Sequence, residues 1–296
     1  MINLLFPLIK NKKVKFLNLN LTNRLGTAAG LDKDGDFIDC LGALGFGFLE
    51  VGTVTPLPQK GNPKPRVFRL FNENAVINRL GFNNKGVDHL VKKLKNRKYT
   101  GVVGVNIGAN KNSRDQQRID DYLNCFKKVC NYSDYITINI SSPNTIGLRD
   151  LHEIDNIKSL IKPLEKEATN KKFTGPIFLK ISPDESTDSI KLLANLIDKS
   201  SLSGLIISNT TINKESLSKR EDQVIEGGLS GAPLMKKSTQ AIKKVKNNNP
   251  QLPIIGVGGV MSRSDYNEKI NSGASLVQIY TGFIIHGPKI VREILN

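Results

Sequence analysis

Short apolar runs alternate with amphipathic stretches along almost the whole chain. Eight runs predict strands, because many are rich in Val, Ile or Leu and bounded by Gly, Pro, Asn or Asp, as buried parallel strands are. They are Leu25–Gly30, Phe48–Thr53, Val102–Ile107, Tyr135–Ile140, Ile177–Ile181, Gly204–Ser208, Pro253–Val257 and Leu276–Tyr280. Between them, apolar residues recur at helical spacing in Asp115–Tyr132, Asp155–Ala168, Ser186–Lys199 and Lys237–Lys246. Strands that alternate with helices in this way predict an α/β protein, a closed (β/α)8 TIM barrel.

One segment interrupts this alternation. Residues Arg66–Gly81 read as two short strands around a turn at Asn72–Asn74, directly after the second barrel strand. The pattern predicts an inserted β-hairpin over the C-terminal face of the barrel, where it would cover an active site. A doubly wound open sheet fits less well, because the glycine-rich strand ends occur late in the chain and not after the first strand.

Composition narrows the class of protein only slightly. The chain has 296 residues and a net charge of +16, which suits an anionic partner or else reflects lysines scattered over solvated helix faces. No basic stretch is interleaved with aromatics, so nucleic acid has no specific support. Cys40, Cys125 and Cys130 are too few and too irregularly spaced for a disulfide framework, which favours a reducing compartment. The three histidines have no metal-ligand spacing, and no metal is expected.

The predicted strand ends carry an unusual set of polar residues, dominated by Asn, Ser, Thr, Lys and Gly. Functional residues of a barrel lie at these ends. The set has no carboxylate pair for glycoside hydrolysis, and it suits a planar polar ligand because amides both donate and accept hydrogen bonds. A single Asn there is more often structural, but five favour function; they are Asn78, Asn106, Asn139, Asn144 and Asn209.

Glycines late in the chain predict a phosphate site. Gly227–Gly231 precedes a helix that begins near Pro233, Gly256–Gly259 follows the seventh strand, and Tyr280–Gly282 ends the eighth. Barrels often bind phosphate there, through backbone N–H groups and a short helix. A phosphate site beside a polar pocket implies a phosphorylated cofactor. Lys180 then either stabilises negative charge on a reduced flavin ring or forms a salt bridge within the barrel, and its position alone does not decide.

Eight motifs in this order resemble one enzyme family, from about Asn18 to the end of the chain. They are AAGLDKDG (28–35), EVGTVTPLPQKGNPKPRVFRL (50–70), INRLGFNN (77–84), NISSPNT (139–145), SNTT (208–211), GGLSGAPL (227–234), PIIGVGG (253–259) and GASLVQIYTGF (273–283). The chain resembles dihydroorotate dehydrogenase of the quinone-dependent class. One small departure is Ser208, where the family commonly has Thr; the hydroxyl is retained.

The resemblance implies oxidation of (S)-dihydroorotate to orotate in pyrimidine (UMP) biosynthesis, with FMN as hydride acceptor. It implies that Ser142 is the catalytic base and takes the proton from C5 while hydride leaves C6 for N5 of FMN. The implied substrate contacts are Lys33, Asn78, Arg79, Leu80, Gly81, Phe82, Asn139, Asn144, Asn209 and Thr210. The implied FMN contacts are Ala29, Gly30, Leu31, Asp32, Lys33, Thr53, Asn106, Asn139, Lys180, Ser208, Gly231, Gly259, Tyr280 and Thr281. Among these, Gly231, Gly259, Tyr280 and Thr281 are expected at the phosphate.

A serine base also separates the classes of this family, since the soluble class usually has cysteine. The resemblance therefore implies a membrane quinone as electron acceptor and a peripheral location on the cytoplasmic side of the cell membrane. In this class a pair of N-terminal helices contacts the membrane; here we expect only a short segment, residues 1–17, before an FMN-binding barrel at residues 18–296. The positive charge is expected to compensate by holding the protein on anionic lipid.

Two other functions are compatible with parts of this pattern. A flavin-dependent tRNA-dihydrouridine synthase fits the basic charge, but its usual cysteine acid and C-terminal helical domain have no counterpart. A non-catalytic barrel that binds a phosphorylated metabolite fits the glycine loops.

Overall fold

The computed structural model describes residues 12–141 and 154–296. Its strands are numbered here in chain order. They are β1 (Val14–Phe16), β2 (Leu19–Leu21), β3 (Leu25–Thr27), β4 (Phe48–Val54), β5 (Val67–Leu70), β6 (Ala75–Asn78), β7 (Val102–Ile107), β8 (Tyr135–Asn139), β9 (Ile177–Ile181), β10 (Gly204–Ile207), β11 (Gly228–Gly231), β12 (Ile254–Val257) and β13 (Leu276–Ile279).

Eight of these strands form a closed parallel barrel in the order β3-β4-β7-β8-β9-β10-β12-β13, with β13 returning to β3. The predicted (β/α)8 barrel is confirmed, and each predicted strand coincides with a barrel strand to within three residues at its ends. The largest difference is at β3, where the predicted strand continues through Ala28–Gly30. These three residues leave the sheet and line the pocket described below, and because they are small or apolar, pattern alone extends the strand through them.

Helices cover the outside of the barrel. They are α1 (Ile38–Gly42), α2 (Val87–Asn96), α3 (Asp115–Val129), α4 (Ile154–Asn170), α5 (Thr187–Asp198), α6 (Arg220–Gln223), α7 (Met235–Asn248), α8 (Arg263–Asn271), α9 (Thr281–His286) and α10 (Lys289–Leu295). The four predicted helices correspond to α3, α4, α5 and α7. Ser186 caps α5, because its hydroxyl accepts a hydrogen bond from the backbone N–H of Ser189 at 3.0 Å.

Aromatic side chains fill the lower part of the barrel. The Tyr135 ring packs edge-on against Phe178 at a centroid distance of 5.8 Å and against Phe48 at 6.3 Å. Gly104 makes room for this cluster, because a Cβ atom at that position would lie 2.0 Å from the Tyr135 ring. The hairpin of β1 and β2 adds to it, with Phe16 stacked on Phe178 at 6.0 Å. These strands of three residues were not predicted, since periodicity is not measurable over so short a run.

The predicted hairpin at Arg66–Gly81 is confirmed as β5 and β6, joined by a 3₁₀ turn at Phe71–Glu73. A third strand, β11, pairs antiparallel with β6 and brings Gly228 opposite Asn78. The sequence predicts only a glycine-rich loop at Gly227–Gly231, because glycine is depleted in strands. Gly228–Gly231 forms a strand because it pairs with β6, which lies far away in the sequence. Ser230, for example, donates its hydroxyl hydrogen bond to the carbonyl oxygen of Val76, 154 residues earlier in the chain.

Candidate functional site

The carboxyl ends of the barrel strands and the β5–β6 hairpin enclose one large pocket of about 920 Å³, part of it open to solvent. It contains most of the site residues predicted above. These are Ala29, Gly30, Lys33, Thr53, Asn78, Leu80, Gly81, Phe82, Asn139, Lys180, Ser208, Asn209, Thr210, Gly231, Gly259, Tyr280 and Thr281. The barrel therefore gathers residues from seven strand ends and a hairpin into one cavity, at the place where ligands bind in this fold.

Asparagines on neighbouring strands are linked by hydrogen bonds along one wall of the pocket. The Thr53 hydroxyl donates to Asn106 Oδ1 at 2.5 Å and accepts from Asn139 Nδ2 at 2.9 Å. Asn209 Nδ2 in turn donates to the Ser141 hydroxyl at 3.1 Å. Each amide is held by its neighbour, so the pocket presents fixed donors and acceptors to a ligand.

This wall is anchored inside the barrel by a fully buried carboxylate, Glu50. Asn106 Nδ2 donates to its Oε1 atom at 2.9 Å. Its Oε2 atom accepts from Gln278 Nε2 at 2.7 Å, from Tyr135 Oη at 3.0 Å and from Thr137 Oγ1 at 3.1 Å. A buried charge needs such partners. Burial, reinforced by the negative charge of Glu50, raises the pKa of Tyr135 well above its usual value.

Two lysines line the pocket. Burial lowers the pKa of Lys180, and the carboxylate of Glu50 partly opposes this effect. Burial also lowers the pKa of Lys33, to about 8, although the neighbouring Asp34 favours its charged form. Removing a cation from water costs free energy that an anion in the pocket would offset. The lysines therefore make the pocket suited to a negatively charged ligand.

Two buried polar atoms that belong to pocket-lining residues have no hydrogen-bond partner among the residues that the structure describes. They are the Thr210 hydroxyl oxygen and Gln278 Oε1. Native proteins leave few buried polar atoms unpaired. Since both residues line the pocket, a polar ligand would supply the missing partners.

One end of the pocket is formed by glycines. Gly231, Gly258 and Gly259 all have positive φ angles, of 99°, 109° and 86°. A Cβ atom at Gly259 would lie 2.3 Å from Met235 Cα, so this loop rests directly on the first turn of α7. The Thr281 hydroxyl donates to Ser230 Oγ at 2.8 Å and ties β11 to the start of α9. Exposed backbone in such loops suits a phosphate group.

Four predicted site residues lie outside the lining of the pocket. Asn106 lies behind Thr53, as described above. Asp32 accepts hydrogen bonds from the backbone N–H groups of Asp36 and Phe37 at 3.0 and 2.9 Å, and thereby shapes the loop that carries Lys33. Leu31 lines a separate cleft beside the pocket. Arg79 pairs with Glu226 at 3.2 Å, so its charge is directed away from the pocket.

Ser142 and Asn144 fall outside the described residues. Their neighbour Ser141 is buried, and the backbone N–H of Ser141 donates to Asn139 Oδ1 at 3.3 Å. Ser141, the last described residue before this segment, is therefore held beside Asn139 and Asn209, which line the pocket.

The pocket also contains residues that were not named individually as site residues, although Ser230, Gly258 and Gly282 lie in the predicted phosphate segments. They are Ala28, Ser230, Leu234, Val257, Gly258, Val260, Gln278, Ile279 and Gly282. Most are small or apolar neighbours of predicted residues and carry no chemical signal of their own. Gln278 is the exception, because a polar side chain in the apolar run LVQI is a detectable signal of an inward-facing functional or structural group.

In the part of the chain that the structure describes, no His, Cys, Asp and Glu side chains cluster in a way that would hold a metal ion. None of the helices in residues 12–141 and 154–296 has the length and hydropathy needed to cross a bilayer. Cys125 and Cys130 are buried free thiols, and Cys40 is exposed.

Comparisons with known proteins agree on one family. A family model described as dihydroorotate dehydrogenase matches residues 11–296. A protein named dihydroorotate dehydrogenase (quinone) from Aeromonas salmonicida is 49% identical over 294 residues, covering 97% of this chain and 87% of that protein. One of the same name from Saccharophagus degradans is 47% identical over 286 residues, covering 95% of this chain and 84% of that protein.

A solved structure shows the same fold. The ligand-free dihydroorotate dehydrogenase of Eimeria tenella superposes with a TM-score of 0.89 at 36% sequence identity, covering 98% of this chain and 88% of that chain.

Proposed function

This chain belongs to the quinone-dependent dihydroorotate dehydrogenase family, and from that premise we propose that it oxidises (S)-dihydroorotate to orotate in pyrimidine biosynthesis. The hydride acceptor is FMN and the final electron acceptor is a quinone. The observation that carries the proposal is the pocket itself, which combines two lysines, a wall of fixed amides and a glycine-lined end in a chain of this family. Family membership also argues against the two alternatives considered from the sequence, a tRNA-modifying enzyme and a non-catalytic barrel.

The residues of the pocket fit FMN. The glycine-lined end formed by Gly231, Gly258 and Gly259 suits a phosphate, and Lys180 suits the ring because its buried charge would offset negative charge there. The unpaired Gln278 Oε1 supplies an acceptor for a ring N–H. When bound, FMN supplies the hydride acceptor, and the chemistry of that step is the cofactor's own.

The substrate lies on the side of the pocket formed by the hairpin and the amide wall. Lys33 pairs with the substrate carboxylate, and Asn78, Asn139, Asn209 and Thr210 bind the polar edges of the ring. Leu80, Gly81 and Phe82 follow β6 and close the pocket above it. Enclosure by these residues excludes water and orients the two carbons that react, which is the main contribution a protein makes to such a step.

Ser142 is the proposed base, although it lies outside the described residues. A serine hydroxyl is a weak base and needs help from a neighbouring group or a water. The adjoining Ser141 already lies in the hydrogen-bond chain that runs through Asn209 to Asn139. This supports the assignment, because Ser141, the described neighbour of Ser142, is hydrogen-bonded to Asn209, which we assign to the substrate.

The proposal for the cofactor and substrate is tested by anaerobic titration of the purified flavoprotein with dihydroorotate. The yellow colour of the bound flavin should bleach, and a soluble quinone should restore it faster than fumarate or NAD does. Protein that is colourless and takes up no FMN would rule the proposal out. Faster re-oxidation by fumarate or NAD would leave the dehydrogenase intact but contradict the quinone.

We further propose a peripheral location on the cytoplasmic side of the membrane, with residues 1–17 as a segment distinct from the FMN-binding barrel at residues 18–296. Its support is the net charge of +16 together with the quinone named for the relatives. The protein should float with vesicles that contain anionic lipid at low salt and should be released by high salt. Flotation that is absent at low salt would contradict membrane association through charge.

A further inference from the structure

A lysine side chain is fully buried behind the glycine-lined end of the pocket. Lys269, on α8, has no exposed surface. Its ammonium group donates to the Ser238 hydroxyl, to Thr239 Oγ1 at 2.8 Å and, in a long contact of 3.4 Å, to the backbone carbonyl of Met235. All three partners are uncharged oxygens of α7. The carboxylates of Glu268 and Asp265 act on it only from a distance.

The partners of Lys269 connect it to the pocket. The Ser238 hydroxyl that receives its hydrogen bond lies 2.9 Å from the carbonyl oxygen of Gly258 and 3.0 Å from that of Leu234. Gly258, Gly259 and Leu234 all line the pocket. The cation is therefore separated from the glycine loop by a single hydroxyl group, while Lys269 itself is not among the residues that line the pocket.

Burying the charge of Lys269 costs free energy unless an anion stabilises that charge. Burial lowers the pKa of Lys269 to about 7, which reflects the free energy needed to keep a cation away from water. An apolar side chain of similar shape would avoid that cost. An anion bound on the other side of the glycine loop would favour the charged form, because attraction is strong where water is excluded.

We propose that Lys269 is a positioning residue for the cofactor phosphate: it holds the Gly258–Gly259 loop through Ser238 and supplies positive charge from behind that loop. The inference rests on the proposed function, since it takes the phosphate of FMN as the anion. Lys269 does not touch the ligand. It acts through the loop and through its field, and so affects the phosphate end of the cofactor and not the ring.

The test compares FMN with riboflavin, which has the same ring and no phosphate. The full chain is stripped of flavin, and the dissociation constants of both ligands are measured by flavin fluorescence for the wild type and for Lys269→Met. The variant should bind FMN about tenfold more weakly, while riboflavin affinity stays within about twofold. An equal loss for both ligands would show a merely structural role and overturn the proposal, as would unchanged FMN affinity.

Lys246 provides a matched control at the other end of α7. Its ammonium group also donates to carbonyl oxygens, those of Pro250 at 2.9 Å and Leu252 at 2.8 Å, but it is remote from the glycine loop. Lys246→Met should leave the affinities for FMN and riboflavin unchanged. If it weakens FMN binding as much as Lys269→Met does, general loss of positive charge explains the effect and the proposal fails.

A second measurement covers the case in which Lys269→Met folds poorly. Ser238→Ala keeps the lysine and removes only the hydroxyl between it and Gly258. Inorganic phosphate should raise the melting temperature of flavin-free wild type and raise it less in Ser238→Ala. Equal stabilisation of both would overturn the proposal. Wild-type protein that binds neither FMN nor phosphate would instead show that the proposed function itself is wrong.

Discussion

At the scale of single residues, the pocket holds charges and hydroxyl groups in positions that suit a polar, negatively charged ligand. Lys33 and Lys180 keep their side chains in the pocket at the cost of lowered pKa values, and the amides of Asn139 and Asn209 are fixed by their neighbours. Shifted pKa values of this kind are typical of functional sites. Two predictions concern individual side chains.

The first prediction concerns the proposed base. Ser142→Ala should slow flavin reduction by dihydroorotate by about 10²- to 10⁴-fold, because the proton at C5 loses its acceptor. Bound FMN should be retained, since the hydroxyl is not needed to hold the cofactor. Stopped-flow absorbance measures the rate and the flavin content of the purified variant measures retention. Ser141→Ala is the neighbouring control and should be far less impaired; reduction of Ser142→Ala at the wild-type rate would refute the assignment.

The second prediction concerns the pH dependence of Lys33. Its pKa is lowered to about 8, so the free enzyme carries this charge below that pH and loses it above. An anionic substrate is attracted only by the charged form. The value of kcat/KM should therefore fall as pH rises through about 8, because kcat/KM reports groups of the free enzyme. Lys33→Met should lower kcat/KM at neutral pH and remove this decline, and a decline that persists in the variant must come from another group.

At the scale of elements, short segments are held in place by side chains from neighbouring loops. Asp184, which follows β9, accepts hydrogen bonds from the Thr211 hydroxyl at 2.5 Å and from the backbone N–H of Ile212 at 3.0 Å. It also pairs with Lys237 of α7 at 2.5 Å. These contacts fix the segment after β10, which carries Asn209 and Thr210 into the pocket.

Asp184→Ala should therefore raise KM for dihydroorotate by roughly tenfold, because small displacements of binding groups are costly. FMN affinity should change less, because Asp184 holds the Asn209–Thr210 segment by two direct hydrogen bonds but reaches the helix under the Gly258–Gly259 loop only through its ion pair with the partly exposed Lys237. The control is Asp188→Ala, which removes an exposed carboxylate of α5 that only pairs with Lys191 at 3.8 Å. Steady-state kinetics and flavin fluorescence separate the two effects, and equal changes in both would contradict a local role.

At the scale of the whole molecule, one buried carboxylate joins distant strands. Glu50 on β4 accepts hydrogen bonds from residues of β7, β8 and β13, so it ties together parts of the barrel that are up to 228 residues apart in the chain. The same residue stabilises the charge of Lys180 in the pocket. The stability of the barrel and the proposed role of Lys180 therefore depend on the same group.

Glu50→Gln should lower the free energy of unfolding by roughly 3 kcal/mol, because donors that face the carboxylate lose a charged acceptor while buried. It should also lower the pKa of Lys180 further, since the attraction that favours its charged form is removed. Urea unfolding of the flavin-free chain measures the first effect. The control is Glu165→Gln, at a carboxylate that accepts hydrogen bonds from Ser201 near the protein surface. This variant should lose far less free energy of unfolding. Similar losses for the two variants would contradict the special role of Glu50.

Sequence alone determined the architecture of this protein and most of its pocket. Alternating strand and helix periods depend on local side-chain pattern, so all eight barrel strands and the β5–β6 hairpin were predictable. Because a barrel brings every strand end to one face, residues as distant as Lys33 and Thr281 were expected together, and both line the pocket. The resemblance to the family then indicated which of these residues to expect at the substrate and which at FMN.

Only the tertiary structure decided which side chains face the pocket and which lie behind its lining. Arg79 and Leu80 are adjacent in sequence, yet Arg79 turns to Glu226 and Leu80 lines the pocket. Gly228–Gly231 forms a strand because β6 lies beside it. The role proposed for Lys269 depends on the Gly258–Gly259 loop, which it contacts only through Ser238 of another helix. These are contacts between residues far apart in the chain, and local pattern carries no information about them.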